Sequence, residues 1–289
     1  MLVTAKQVLA DARANRYAVP AFDCVEDVMV RAVLETAEAC RAPVFVMCLE
    51  PDVAGNGWYY LSALVKGIAD RHDIPIVLHL DHADTIESIR KAVDLGFTSV
   101  MIDGSKRPFD ENVAITRAAV EIAHPRGVSV EGELGHVGGM DLDATAHAEN
   151  VLTEPDEVAR FVEQTGVDAL AVSIGTSHGV YQSLPNLNIE RLAELREASP
   201  VPLVLHGGSG TPRDQLQSAV RNGICKLNVY ADCRIAMARA AREASQSLTR
   251  PDPLPHEIFG PIRRAIAEVV REKIDLLLAA ERCPPRMPR

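Results

Sequence analysis

A (β/α)₈ barrel with a C-terminal helical extension, spanning residues 1–289 as a single domain, is the fold class that the sequence predicts. Three observations lead there: eight short β-branched or aliphatic runs recur along the chain, helical stretches separate them, and the runs are continuously apolar rather than alternating. Continuous apolar strands suit a parallel sheet covered on both faces. The runs lie at 18–23 (AVPAFD), 43–48 (PVFVMC), 75–81 (PIVLHLD), 99–103 (SVMID), 129–134 (SVEGEL), 169–174 (ALAVSI), 202–207 (PLVLHG) and 225–229 (CKLNV). Between them the helical stretches are expected at 27–40, 85–95, 112–123, 155–165 and 189–198. Thr153 and Pro155 stand where an N-cap and a first-turn proline would open the fourth of these. Two last helices, 231–249 and 261–280, are expected to close and extend the barrel. An open doubly wound sheet would carry a glycine-rich turn after its first strand, and AVPAFDCVEDV has no glycine. The least regular stretches, 140–150 and 182–186, follow strand ends and so belong over the catalytic face of a barrel.

Composition narrows the partners. A chain of 289 residues with 47% apolar content can bury a large core, which excludes a disordered chain or a disulfide miniprotein. Thirty Lys and Arg against forty Asp and Glu give a net charge of -10, which argues against broad nucleic-acid or anionic-membrane binding. A small anionic substrate in a local pocket remains compatible with that charge. Aromatic residues are 4% of the chain, with one Trp, so base-stacking platforms are poorly supplied. Charges at Lys6, Asp11, Arg13 and Arg16 interrupt any secretory apolar segment, and no apolar run approaches the ~18 residues of a membrane span. The six cysteines include no CxxC pair and read as buried thiols of a reducing, cytoplasmic compartment.

Chemically potent residues gather where strands end. PIVLHLDHAD ends in His79, Asp81 and His82; VSVEGELGHVGG carries Glu131 and Glu133; AVSIGTSHGVY presents His178 and PLVLHGGSG presents His206. A lone histidine at a strand end is commonly a hydrogen-bonded structural residue. The barrel changes this, because His82, Glu133, His178 and His206 all fall on one rim. Three imidazoles with a carboxylate match the ligand set of Zn²⁺ and suit other first-row metals. Glycines in HGV and HGGSG leave room for a close approach to the backbone.

HLDH, GFTSVMIDGS, VSVEGELGHVGG, IGTSHGVY, HGGSG and KLNV, in this order and at these intervals, resemble the zinc-dependent class II fructose-bisphosphate and tagatose-bisphosphate aldolase family over essentially the whole chain. The resemblance implies a cytoplasmic homodimer or homotetramer that makes and breaks a ketose carbon–carbon bond through an enediolate stabilised by one divalent metal, Zn²⁺. It implies His82, His178 and His206 as metal ligands and Glu133 as a ligand to an alternative metal position. Asp81 matches the acid/base at the aldehyde oxygen, Asp141 a loop acid for proton exchange at the nucleophilic carbon, and Asn228 a contact to the enediolate. For Asp81 the residue types alone leave a second role open, as the partner that orients a metal histidine. Glu131 and His79 read as supporting or packing residues.

The resemblance also implies a phosphate site, and here the chain departs from the pattern. Gly179, Gly207, Ser209 and Asn228 are kept, and loop amides of this kind can cradle anions. The family's lysine after HGxY is Gln182, its threonine three residues after the asparagine is Ala231, its serine after the second strand is Leu49, and its asparagine after AF is Asp23. Together these remove a cation and two hydroxyl donors and add an acid. The substrate is therefore expected to be a small sugar, either resembling dihydroxyacetone phosphate or an unphosphorylated analogue, with Lys226 or Arg234 as possible substitutes for the lost contacts. A metal-dependent ketose epimerase or a non-catalytic aldolase-like subunit would share the same residues.

Overall fold

The computed structural model describes residues 1–139, 150–179 and 184–283. The chain opens with α1 (Ala5–Asn15), begun by a capping box in which the Thr4 side chain and Gln7 satisfy each other's exposed amides. Then β and α elements alternate: β1 (Val19–Asp23), α2 (Asp27–Ala39), β2 (Val44–Leu49), α3 (Gly57–Ile68), β3 (Ile76–Ala83), α4 (Ile86–Leu95), β4 (Ser99–Ile102), α5 (Phe109–Ala123) and β5 (Ser129–Leu134). They continue with α6 (Pro155–Thr165), β6 (Ala169–Val172), α7 (Ile189–Ala198), β7 (Leu203–Leu205), α8 (Arg213–Arg221), β8 (Ile224–Val229), α9 (Ala231–Ser247) and α10 (Pro255–Leu276). Among the described residues the eight strands pair in parallel in chain order, and β8 closes on β1, giving the expected (β/α)₈ barrel.

The strands are buried along nearly their whole length, as their unbroken apolar runs require. The helices flanking the barrel pack through apolar stripes; α4, against β3 and β4, buries Ile89, Ala92 and Val93. Short polar α1 and α8 and glycine-led α3 do not stand out in the sequence. α1 lies across the N-terminal ends of the strands, where its Lys6 pairs with Asp168 at 3.1 Å and its backbone bonds Ser129. α10 packs along α9 and α2 and starts at Pro255, six residues before the expected start, so Pro261 sits inside its first turns.

One local expectation is overturned. The N-cap of α6 is Glu154, not Thr153, although Pro155 does open the helix. Thr153 is buried, and its hydroxyl donates to the Leu134 carbonyl while accepting from the Ser173 amide. Tying β5 to the end of β6 satisfies two buried backbone groups, which outweighs capping an end that water can reach.

Two register shifts matter for function. Between β3 and β4, His79 and Leu80 face Ser99 and Val100, but Ala83 faces Ile102, so one extra residue is inserted around Asp81 and His82. His82 takes up that insertion in the left-handed region at φ 44°. A second insertion, at Cys225, lies between β7 and β8. Among the described residues no helix is long and apolar enough to cross a membrane.

Candidate active site

Side chains of a regular strand alternate between faces, so Asp81 and His82 would point to opposite sides of β3. The insertion and the left-handed His82 bring both to the mouth of the barrel, where they line one cleft with Asp23, Leu49, His178, Gly179, Gly207, Gly208, Ser209, Asn228, Tyr230, Ala231 and Arg234. The close approach of strands here depends on glycine: a Cβ on Gly207, itself at φ 66°, would lie 2.5 Å from the Ser177 carbonyl oxygen.

The three histidines meet at the rim. Ligand atoms of His82, His178 and His206 all lie within 4.8 Å of one another. Buried carboxylates fix two of the rings. Asp103 lies 2.9 Å from His82 Nδ1, and Glu131 lies 2.9 Å from His206 Nε2. Glu131 is in turn held by Lys226 at 2.8 Å. With those outer nitrogens turned to carboxylates, His82 Nε2 and His206 Nδ1 face each other at 2.8 Å; burial opposes charge on His82, but Asp81, Asp103 and Glu133 raise its pKa well above the usual value, so without a metal a proton holds the pair. Two facing lone pairs repel unless a proton or a cation lies beside them. The donor set therefore fits a divalent cation of the Zn²⁺ type.

Glu133 stands on a second group. Its ligand atom lies within 4.8 Å of those of His82 and Asp103, and its Oε2 is 3.7 Å from His206 Nδ1. Among the described residues that oxygen is buried without a hydrogen-bond partner, and burial, reinforced by Asp103, pushes the carboxyl up to about 8. A cation placed there would satisfy the oxygen and lower the pKa. Asp103 was missed in the sequence, although it ends a strand within GFTSVMIDGS just as the other rim residues end theirs.

Asp81 is buried beside this cluster. Asn228 donates its amide to both Asp81 oxygens at 3.0 Å, and His79 Nε2 faces one of them at 3.7 Å. Burial alone would raise the Asp81 pKa, but His82, His79 and His206 together hold it well below the usual carboxylate range. Asp23 goes the other way: burial, then the charges of Asp81 and Asp52, push it well above that range. The cleft thus holds one carboxyl that keeps its proton and one that gives it up, a division suited to proton transfer. His178 is pushed well below its usual value, first by burial and then by the other two imidazoles, which keeps it neutral.

The opposite wall of the cleft is different. Among the described residues, Asp23 Oδ1 and Asn228 Oδ1 are buried acceptors without hydrogen-bond partners, and Leu49 and Ala231 add only apolar surface. Ser209 Oγ accepts from the Asp232 amide at the start of α9. Arg234 lies over the Tyr230 ring at 5.0 Å, and the Tyr230 hydroxyl bonds Asp52 at 2.7 Å. Lys226 cannot substitute for a lost phosphate contact, because it is fully buried inside the barrel on Glu131. Asp141 and Gln182 lie outside the described residues.

A (β/α)₈ barrel whose strand-end acids and histidines converge on one mouth defines an enzyme of the barrel class. Comparisons with known proteins name the family. The class-II fructose-bisphosphate aldolase family model matches residues 3–282. A fructose-bisphosphate aldolase of Giardia intestinalis is 40% identical over 300 residues, covering 94% of this chain and 92% of that one. Among solved structures, the YdjI aldolase from Escherichia coli K12 superposes with a TM-score of 0.88 at 33% identity, covering 98% of this chain and 100% of that one. The Campylobacter jejuni fructose-bisphosphate aldolase shares the fold, with a TM-score of 0.80 at 23% identity over 96% of both chains. The chain belongs to the class II fructose-bisphosphate aldolase family and is a lyase.

Proposed function

We propose that this lyase is a zinc-dependent aldolase that reversibly cleaves a ketose carrying a phosphate at one end at most. The observation that carries the reading is the pairing of a preformed three-imidazole set with an ionised, immobilised Asp81 in one cleft. His82, His178 and His206 would hold Zn²⁺, and Glu133 would hold it in an alternative position. The ion, when bound, acts as a Lewis acid that stabilises negative charge developing on a ketose oxygen. Asp81 takes the hydroxyl proton as the carbon–carbon bond breaks and returns it to the aldehyde oxygen in the reverse direction. Asn228 keeps the two Asp81 oxygens oriented and turns its own free oxygen toward the substrate. Asp141 would exchange the proton at the nucleophilic carbon.

The handle follows from the two walls. Gly179, Gly207 and Ser209, with the amino end of α9 and Arg234, offer amides and one cation on the β7–β8 side, enough for a single phosphate. On the β1–β2 side, Asp23 and Leu49 offer an acid and an apolar surface, and a dianion there would lose charge-assisted bonds worth about 1.5 to 3 kcal/mol each. A sugar hydroxyl, which can donate to Asp23 Oδ1, suits that wall. We assign the enzyme to the cytoplasm on its six free, buried thiols, and a homodimer or homotetramer on its family.

The test is a panel of fructose 1,6-bisphosphate, fructose 1-phosphate and fructose, assayed with added Zn²⁺ and after EDTA treatment, with products identified by mass. Zn²⁺-dependent cleavage that favours the monophosphate is the expected result. Products of unchanged mass would mean epimerisation and overturn the aldolase reading. Equal or better cleavage of the bisphosphate would overturn the handle assignment alone.

A further inference from the structure

At the end of the barrel opposite the catalytic mouth, the carboxyl ends of α1, α7 and α8 surround a cavity of about 360 Å³. Its floor is apolar, built from the first residues of β7 and β8, including Leu203, Ile224 and Cys225. Four arginines line it: Arg13, Arg16, Arg196 and Arg221, against one acid, Glu197. In a chain of net charge -10 this is a local reversal of sign.

Most of that positive charge is uncompensated. Arg13 donates to the carbonyls of Pro200 and Ser199 at 2.7 and 2.9 Å, and Arg221 donates to the backbone and side-chain oxygens of Gln217, so the partners of both are neutral. Arg196 reaches Glu197 only at 4.0 Å, and its stem lies against Gly223, where a Cβ would come within 2.6 Å of it. Arg16, in the left-handed cap position after α1, donates its backbone amide to the Ala12 carbonyl, and its exposed side chain forms no hydrogen bond or ion pair among the described residues. A basic residue in the last turn of a helix is ordinary compensation for the helix dipole. That accounts for one arginine per helix but not for Arg16 beyond the last turn, nor for a cavity of small-molecule size with an apolar floor.

We propose that this cavity is a second binding site, for a small organic anion with an apolar body and a phosphate-type head group. The body would rest on the β7–β8 floor, and the head would meet the guanidinium groups, whose planar forks match phosphate oxygens in pairs. The site lies at the other end of the strands from the catalytic cleft, so both can be filled together.

Phenyl phosphate is a suitable probe. Isothermal titration calorimetry of the zinc-loaded full chain should show binding that weakens with added salt. Arg16→Glu and the double variant Arg196→Gln/Arg221→Gln should each bind about tenfold more weakly or worse. Arg234→Ala weakens any binding of the probe in the catalytic cleft, so the component due to the arginine cavity should persist in it. Because the Arg16 side chain has no partner among the described residues, its reversal should leave the fold intact, and melting curves of all variants check this. Absence of binding to the wild type, unchanged affinity in the Arg16 and double variants, or complete loss of binding in Arg234→Ala would each overturn the site.

Discussion

The two walls of the catalytic cleft differ in what completes them. On the metal-facing wall the outer nitrogens of His82 and His206 are tied to buried carboxylates, and Glu131 is anchored by Lys226. On the handle wall two buried acceptors, Asp23 Oδ1 and Asn228 Oδ1, have no partner among the described residues, and Leu49 and Ala231 supply none. The first wall is preorganised by bonds within the protein, so its geometry is set before any ligand arrives. The second leaves donors to be brought by the substrate. Under the proposed function, reaction type is carried by the wall the protein completes, and substrate choice by the wall it leaves open.

The sharpest way to break this division is to remove a ring from the completed wall. His206→Ala should abolish cleavage and lower bound zinc, measured by turnover and by metal analysis of the purified protein; normal zinc content with normal turnover would remove His206 from the site. A smaller loss is expected at the junction of the walls. Asp81→Asn should keep zinc bound while lowering kcat about 10²- to 10⁴-fold, the usual range for losing a general acid/base. Near-normal kinetics in that variant would instead make Asp81 a partner that orients the metal histidines.

On the open wall the effect should be one of preference rather than of rate. Asp23→Asn replaces a carboxyl that can ionise with an amide that cannot and that offers two N–H donors, so kcat/KM for fructose 1,6-bisphosphate relative to fructose 1-phosphate should rise about tenfold to a hundredfold. A ratio that does not move would separate Asp23 from substrate choice. The mildest expectation concerns pH and stability without metal. Glu133 is raised from 4.5 to about 8 in the folded chain, so it contributes stability that is complete below 4.5 and lost as pH rises through about 8. Melting of the metal-free chain should therefore show a falling component between about pH 5 and about pH 8. The fall should be shallower in Glu133→Gln, and parallel curves for the two would count against Glu133 as its source.

Much of this was legible in the chain. The eight apolar runs fall within a residue or two of the eight strands, because a parallel strand buried on both faces leaves a continuous signal. The rim histidines were legible because His82 and His206 end such runs and His178 follows one within a few residues. The quieter features were not. α8, with Arg213, Asp214 and Gln215 in its first turn, buries Leu216, Ala219 and Val220, too little apolar content to announce a helix. Thr153 looks like an N-cap until the strand ends above it are in place. Lys226 looks like a spare cation until the barrel encloses it on Glu131.

By itself the sequence determined the barrel and the residue types at its mouth, since periodicity and composition are local properties of the chain. Only the tertiary structure decided which atoms meet. It placed an inserted residue in β3 so that Asp81 and His82 share one cleft, turned Asp103 and Glu131 onto the outer nitrogens of the rings, and left Asp23 without a donor. The physical reason is that hydrogen-bond distances, burial and the resulting pKa shifts depend on groups far apart along the chain, and closing the barrel is what brings them within a few ångströms.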